Sequence, residues 1–309
     1  MLLPTEACNF RCVYCYERFA HGRMKRPVVD GVKALLARRA PRLSFLTVSW
    51  FGGEPLLARD IIREIMCHAA TLAGAHGFLL VADMATNGYL LDRPTFEQAL
   101  DWGVSRYQIA FDGPRAWHDR RRLRADGRGT FDRIWSNVLA LREVEREFTV
   151  VMRIHVDHEN RSTIPSFVDA CQEALGTDRR FRLFLRPLSR LGGARDAELE
   201  VFDEEEESAA LAPLVRWVEE RGLTRGGSQP DGICYAARAN SLVVRADGRL
   251  NKCTVALDHP GNQVGRILPD GRLELDTPRM ERWIRGVWSR DPKALRCPLL
   301  DQPPAVSSP

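Results

Sequence analysis

The chain has 309 residues, 44% hydrophobic and 28% charged, a balance that supplies a large core and excludes a disordered, collagenous or low-complexity protein. Its 45 lysines and arginines nearly cancel 41 aspartates and glutamates to leave a net charge of +4, so charge points to neither nucleic acid nor an anionic membrane as a partner. No apolar run approaches the ~20 residues of a membrane span, and the start has no signal-peptide pattern. The reading is a cytoplasmic protein, whose eight cysteines are ligands and buried thiols rather than a disulfide framework.

In chain order, a short strand is expected over residues 2–4, and it leads into Cys8-Asn-Phe-Arg-Cys12-Val-Tyr-Cys15. Three thiols on so short a loop can gather around one metal or iron–sulfur centre. A structural zinc ion takes four ligands, whereas three suit a four-iron cluster with one iron left open. Further strands are expected over 46–51, 78–84, 107–111, 150–156 and 181–185, and helices over 29–39, 58–75, 93–102, 131–146 and 162–175. This alternation predicts βα units whose parallel sheet curls into a partial barrel, with ligands at the carboxyl ends of its strands. Cys67 and Cys171 fall in helical patterns and are expected as core thiols.

The second strand runs into Gly52-Gly53-Glu54-Pro55. Paired glycines let backbone approach a ligand, and the carboxylate beside them can pair with a cation such as an amino group. Asn87-Gly88 closes the third strand and is equally a plain turn signal. The fourth ends at Asp112-Gly113-Pro114, followed by His118 and Arg122, which read either as site residues or as a surface salt-bridged loop. Arg153 lies inside an apolar strand, where a charge must be paired or face a polar cavity; Asn160 is a weaker candidate. His68 and His76 are assigned no chemistry. Beyond residue 200, an acidic run at 203–207 opens a helix to 221 and a linker is expected over 225–230. Residues 241–245 and 249–252 then form a hairpin around Asp247-Gly248. Cys234 and Cys253 flank that hairpin.

The spacing of Cys8, Cys12 and Cys15, with Tyr14 before the last and Gly52-Gly53-Glu54-Pro55 after the second strand, resembles the radical S-adenosylmethionine (SAM) superfamily. The resemblance implies that the three cysteines hold a [4Fe-4S] cluster whose open iron is chelated by the amino and carboxylate groups of SAM. It places Gly52, Gly53 and Glu54 at the SAM amino group and Tyr14 against adenine. Asn87 becomes a contact to the ribose or the SAM carboxylate, Arg153 a contact to that carboxylate, and Asp112 a catalytic-site residue. Ala110 stands where many peptide-modifying members carry Ser. In this family the reduced cluster breaks a carbon–sulfur bond of SAM, and the 5′-deoxyadenosyl radical removes a hydrogen atom from substrate.

Cys234, Gly248 and Cys253, with residues 264–267, Asp270-Gly271 and Trp283, resemble the SPASM/twitch extension, which binds auxiliary [4Fe-4S] clusters in many enzymes that modify peptides. Only Cys297 follows them, and Ala294 stands where a CxxC partner is expected. Either one auxiliary cluster binds with an open or non-cysteine ligand such as Asp301, or none binds. The expected α/β fold is a partial (βα)6 TIM-like barrel over 1–200, a connecting helix and linker over 201–229, a truncated SPASM/twitch-like β-hairpin domain over 230–300 and a disordered tail over 301–309. The expected function is maturation of a ribosomally made peptide by hydrogen abstraction followed by cross-linking or a similar oxidation. A flavodoxin or ferredoxin would supply the electron. Because the start leaves no room for a peptide-binding domain, a separate leader-peptide-binding protein is expected to bring the substrate. The alternatives are a twitch-type enzyme oxidising a small molecule and a zinc-stabilised binding protein.

Overall fold

The computed structural model describes residues 1–176, 178–225 and 232–299. Asp301, the expected tail over 301–309 and most of the expected linker lie outside these residues. Contacts divide the chain into two compact units, one made of Met1–Ala7, Glu17–Leu80 and the chain from Ser228 onward, the other of Cys8–Tyr16 and Val81–Gly227.

The first unit opens with Leu2, which bridges Trp50 and Val244; the strand expected over 2–4 is reduced to this one-residue contact. Helix α1 (Arg26–Arg39) has a proline in its first turn, where no backbone donor is lost. Strand β1 (Phe45–Trp50) and helix α2 (Arg59–His76) follow, and α2 stops at Gly77, whose left-handed backbone (φ 74°) caps the helix. Helix α2 buries Ile62, Ile65, Met66 and Ala69, one stripe at helical spacing. Cys67 sits one residue off that stripe and is exposed, which corrects its assignment to the core. Cys171 is fully buried as expected.

The second unit holds β2 (Leu79–Thr86) from Val81 onward, β3 (Val104–Phe111), β4 (Thr149–Val156), β5 (Phe181–Pro187) and β6 (Thr224–Arg225), paired in that order and all parallel. Between them run helices α3 (Arg93–Asp101), α4 (Arg115–Arg121), α5 (Phe131–Ala140), α6 (Ile164–Leu175) and α7 (Glu204–Glu220). Side chains alternate across a strand, and the register sorts them into two faces. Met84, Tyr107, Ile109, Phe111, Val150, Met152, Ile154 and Leu183 share the buried face. The opposite face carries Ala85, Gln108, Ala110, Arg153, His155, Phe184 and Arg186. Apolar residues thus make the core on one side and leave a polar face on the other.

Three differences from the expected elements have local causes. Helix α5 ends at Ala140 and passes through a single 3-10 turn, because Val144 leaves the helix in an extended conformation and is 3% exposed. Helix α4 replaces an expected loop. Strand β6 is two residues long and falls where the linker was expected. The acidic start of α7 is as read: Asp203 accepts from the Glu206 amide and Glu206 reaches back, a full capping box.

The first unit resumes with β7 (Val243–Val244), β8 (Arg249–Asn251), β9 (Gln263–Ile267) and β10 (Leu273–Leu275), an antiparallel sheet in the order β10-β9-β8-β7. The expected hairpin is β7–β8, turned at Gly248 with φ 88°. Helices α8 (Thr277–Ser289) and α9 (Pro292–Arg296) close the described chain. Among the described residues no helix is long and apolar enough to cross a membrane.

A buried ion pair ties the N-terminal segment to this hairpin. Arg245 donates through Nη2 to Glu6 Oε2 at 2.6 Å and through Nε to Oε1 at 3.0 Å, and it also reaches Asp258 at 2.9 Å. The Arg245 and Glu6 side chains are only 2% and 3% exposed. Removing one partner strands the other charge in a low-dielectric interior. Arg245→Met is therefore expected to destabilise the fold by about 3–5 kcal/mol in urea titrations; an unchanged midpoint would contradict this role.

Candidate active site

The thiol loop belongs to the second unit, and backbone bonds fix its course. Arg11 and Val13 amides donate to the Leu123 and Arg121 carbonyls at 2.8 and 2.9 Å, and the Ala125 amide donates to Asn9 at 2.9 Å. The loop is thereby paired with the chain that leaves α4. The Phe10 amide lies 3.4 Å from Cys8 Sγ and the Asn87 amide nitrogen 3.9 Å from it, donors that favour a thiolate. Burial pushes the Cys12 thiol up and Arg122 pulls it back. Among the described residues no three Cys, His, Asp or Glu side chains stand close enough to clasp a single metal ion. A four-iron cluster makes a different demand, since it spreads its thiolates over separate irons. The donor set, three cysteines on one loop with amides aimed at sulfur, fits such a cluster.

Tyr14 is the centre of the polar arrangement. Its hydroxyl lies 2.9 Å from both Asp112 carboxylate oxygens, accepts from Arg122 Nη1 at 2.9 Å and sits 3.1 Å from His155 Nδ1. His155 Nδ1 is also 3.0 Å from Asp112 Oδ1, and the His155 and Tyr14 rings meet edge to face at 5.0 Å. Four elements contribute: the thiol loop, the end of β3, the end of α4 and the end of β4. Burial pushes the Asp112 carboxyl up, but the His155 hydrogen bond and the charges of His155 and Arg122 outweigh it and hold the pKa below the usual range. Burial lowers the His155 pKa against the raising effect of that bond, and its Nδ1 faces the carboxylate as a donor. Burial likewise raises Tyr14, keeping the phenol protonated.

Other expected residues are placed as follows. Asn87 Nδ2 donates to Asn9 Oδ1 at 2.8 Å, and its Oδ1 accepts from the Tyr89 amide, so its side chain steadies the thiol loop. His118 and Arg122 are buried, at 0% and 6% exposure, which corrects the surface-loop alternative. His118 packs against Phe111 and Phe131, and burial lowers its pKa to about 4, a core histidine. Asn160 is fully buried and donates to the Asp112 and His155 carbonyls at 3.1 and 2.8 Å, clamping two strand ends together. Arg153 lies on the polar face opposite Ala110, and its buried Nε has no hydrogen-bond partner. His155 was not among the residues expected at the site. The available signal was Arg153 and His155 at period two within an apolar strand.

In the first unit, Gly52 and Gly53 follow β1 and lie against the segment that leads into the thiol loop. A Cβ on Gly52 would come within 2.2 Å of the Thr5 carbonyl oxygen, and one on Gly53 within 2.5 Å of the Ala7 carbonyl oxygen. Gly52 also has φ 111°, so only glycine fits. Glu54 is fully buried; its amide donates to Ala7 and its carboxylate accepts from the Leu56 amide at 3.0 Å. Cys234, Cys253 and Cys297 come near enough for the latter two to raise Cys234, after the larger effect of burial. Cys253 follows the β8 strand, and its amide donates to Asn262 at 2.9 Å. Trp283 is buried and donates to the Gly261 carbonyl, and Ala294 is buried without a thiol to offer.

The radical SAM superfamily profile matches residues 2–171, and the chain belongs to that superfamily. Members use a [4Fe-4S] cluster and S-adenosylmethionine. The GTP 3′,8-cyclase of Microcystis aeruginosa is 23% identical over 283 residues, covering 85% of this chain and 80% of that relative. The GTP 3′,8-cyclase of Stenotrophomonas maltophilia is 42% identical over 114 residues, 35% of this chain and 32% of the relative. Among solved structures, anSMEcpe with bound AdoMet and Kp18Cys peptide matches 91% of this chain and 79% of its own at a TM-score of 0.70 and 15% identity. Streptococcus suis SuiB bound to precursor peptide SuiA matches 93% and 66% at a TM-score of 0.65 and 16% identity. These structures share the fold.

The Tyr14 arrangement predicts strong coupling. Tyr14→Phe and Asp112→Asn are expected to show an interaction energy of about 1–3 kcal/mol in a double-mutant cycle measured by anaerobic urea unfolding; additive effects would deny that the two groups act as a unit. Because the Asp112 pKa is depressed in the fold, the stability it contributes is present above the ordinary carboxylate range and is lost as pH falls through the folded value. Asp112→Asn should flatten that acid limb, and a variant with the same acid slope as wild type would contradict the assignment.

Proposed function

We propose that this radical SAM enzyme reductively cleaves SAM and modifies a ribosomally synthesised peptide. The observation that carries the reading is the thiol loop, tied through Tyr14 to Asp112 and His155 on the polar face of a parallel sheet. Cys8, Cys12 and Cys15 would hold the [4Fe-4S] cluster. When bound, that cluster supplies the electron that breaks SAM into methionine and the hydrogen-abstracting 5′-deoxyadenosyl radical. Gly52, Gly53 and Glu54 would receive the SAM amino group, with the buried Glu54 carboxylate as its counter-charge. Arg153 would take the SAM carboxylate, Tyr14 would lie against adenine, and Asn87 would hold the loop that bears Cys8. Asp112 would act in catalysis by keeping Tyr14 and His155 in one orientation.

The peptide assignment is supported by the C-terminal features: a hairpin flanked by Cys234 and Cys253, a buried Trp283 and a later Cys297, a partial set resembling the SPASM/twitch extension. On this reading residues 1–200 are the barrel, 201–229 the connection and 230–300 the truncated SPASM/twitch-like domain. A separate leader-binding protein and a flavodoxin or ferredoxin would be its cytoplasmic partners. The cyclase relatives favour a second reading, in which the same chemistry is applied to a small molecule.

Anaerobically reconstituted protein with dithionite and SAM is expected to release 5′-deoxyadenosine, and Cys12→Ala to lose that release; equal background from both would end the enzymatic reading. Incubation with a precursor peptide encoded beside the gene should remove two hydrogens from its mass. Product from GTP with an unaltered peptide would select the small-molecule reading. Iron analysis reads the auxiliary site: about four irons per chain means the barrel cluster alone, and about eight means that Cys234, Cys253 and Cys297 hold another.

A further inference from the structure

The polar face of the parallel sheet holds four arginines that answer to no carboxylate, Arg106 on β3, Arg153 on β4, and Arg182 and Arg186 on β5, and of these Arg153 and Arg186 lie toward the carboxyl end of the strands. Arg153 on β4 pairs with Phe184, and His155 pairs with Arg186 on β5, so Arg153 and Arg186 point to the same side of adjacent strands, two residues apart in register. Several other basic residues of this unit are engaged: Arg121 with Asp157 and Glu159, Arg122 with Tyr14, Arg124 with Asp126 and Arg190 with backbone carbonyls. Among the described residues neither Arg153 nor Arg186 makes a hydrogen bond or ion pair, and the Arg153 Nε is enclosed without an acceptor. Burial, and then the like charge of Arg186, lower the Arg153 pKa. Across the strand from Arg153 stands Ala110, whose methyl group offers no acceptor and occupies little of the face.

Two guanidinium groups on diagonal positions of neighbouring strands, one of them partly desolvated, repel each other unless an anion lies between them. A fold retains such a pair at a cost in stability, and a bound oxyanion removes that cost, since each guanidinium presents a planar fork matched to carboxylate or phosphate oxygens. One anion follows from the SAM reading, the methionine carboxylate at Arg153. A single carboxylate at Arg153 leaves Arg186, which is exposed, without an anion of its own. We propose that Arg186, beside Arg153, forms a seat for a second oxyanion, a carboxylate or phosphate carried by the substrate. The inference rests on the SAM reading for Arg153 and adds the chemical class of the substrate group: the molecule modified here is anionic near the carbon that is attacked.

The test uses thermal unfolding of the anaerobically reconstituted protein with inorganic pyrophosphate or glutarate as the probe, each with and without saturating SAM. A probe seated between the arginines should raise the wild-type Tm by at least about 2–4 °C, the shift that ~1 kcal/mol produces in a chain of this size. That rise should persist with SAM present. It should be lost in Arg186→Gln and kept in Arg216→Gln, which removes the same charge from an exposed position of α7. Arg186→Lys, which retains charge without the fork, should keep part of it. Without ligand, Arg186→Gln should melt no lower than wild type, because it relieves repulsion; a fall would show that Arg186 holds structure instead.

A rise with pyrophosphate alone assigns a phosphate-bearing substrate, and a rise with glutarate a carboxylate. No rise in wild type, or an equal rise in Arg186→Gln, overturns the seat. A rise abolished by SAM but untouched by 5′-methylthioadenosine, which lacks the carboxylate, also overturns it by showing one anion site that SAM fills. Release of 5′-deoxyadenosine by the same preparation separates the two claims. If SAM is cleaved and no probe binds, the seat fails alone; if SAM is not cleaved, the reading beneath it fails.

Discussion

The hydroxyl of Tyr14 is the point on which the second unit depends. One oxygen faces the carboxylate of Asp112, the guanidinium of Arg122 and the imidazole of His155 within 3.1 Å, and the Asp112 carboxylate is fully buried. A buried carboxylate is tolerated only when its charge is met by donors. Here the donors come from the thiol loop and from β4, with Arg122 adding charge from the end of α4. Satisfying one charge therefore fixes the loop against the strand ends. Asn160 completes the arrangement from below by bonding the carbonyls of both Asp112 and His155. The cysteines inherit their position from a network that contains no sulfur.

A steric constraint works in the same direction in the first unit. The segment through Thr5 and Ala7 lies so close to Gly52 and Gly53 that no β-carbon fits at either position, and the Glu54 amide closes on the Ala7 carbonyl. The Glu6–Arg245 pair then secures the segment from the other side. The chain that leads into the thiol loop is thus held by backbone contact on one flank and by a desolvated ion pair on the other, and a change at Arg245 would reach the approach to the loop through Glu6.

What the sequence disclosed, and what it hid, follows from the range of each interaction. The βα alternation was legible because burial on one face of a strand and one stripe of a helix leaves a periodic trace, as in β4 and α2. The loop cysteines and Gly52-Gly53-Glu54 were legible because their spacing is local. Cys67 was misplaced by a single position, an error that 100° of rotation per helical residue makes large. His155 escaped notice because its significance is a contact with Tyr14, 141 residues away in the chain, and no local pattern encodes such a pairing. Arg122 was ambiguous for the same reason, since its partner is 108 residues distant. Strands β9 and β10 and the two-residue β6 are too short or too exposed to carry a period.

The central claim is that Cys8, Cys12 and Cys15 hold a cluster with one iron open to SAM. Electron paramagnetic resonance of the reduced, reconstituted protein addresses it directly, because a ligand bound to iron changes the signal and a ligand elsewhere does not. The account predicts an iron–sulfur signal that shifts on adding SAM, is unmoved by 5′-methylthioadenosine, and loses the SAM-responsive component in Cys12→Ala. A wild-type signal indifferent to SAM, or one whose SAM response survives in Cys12→Ala, would contradict it.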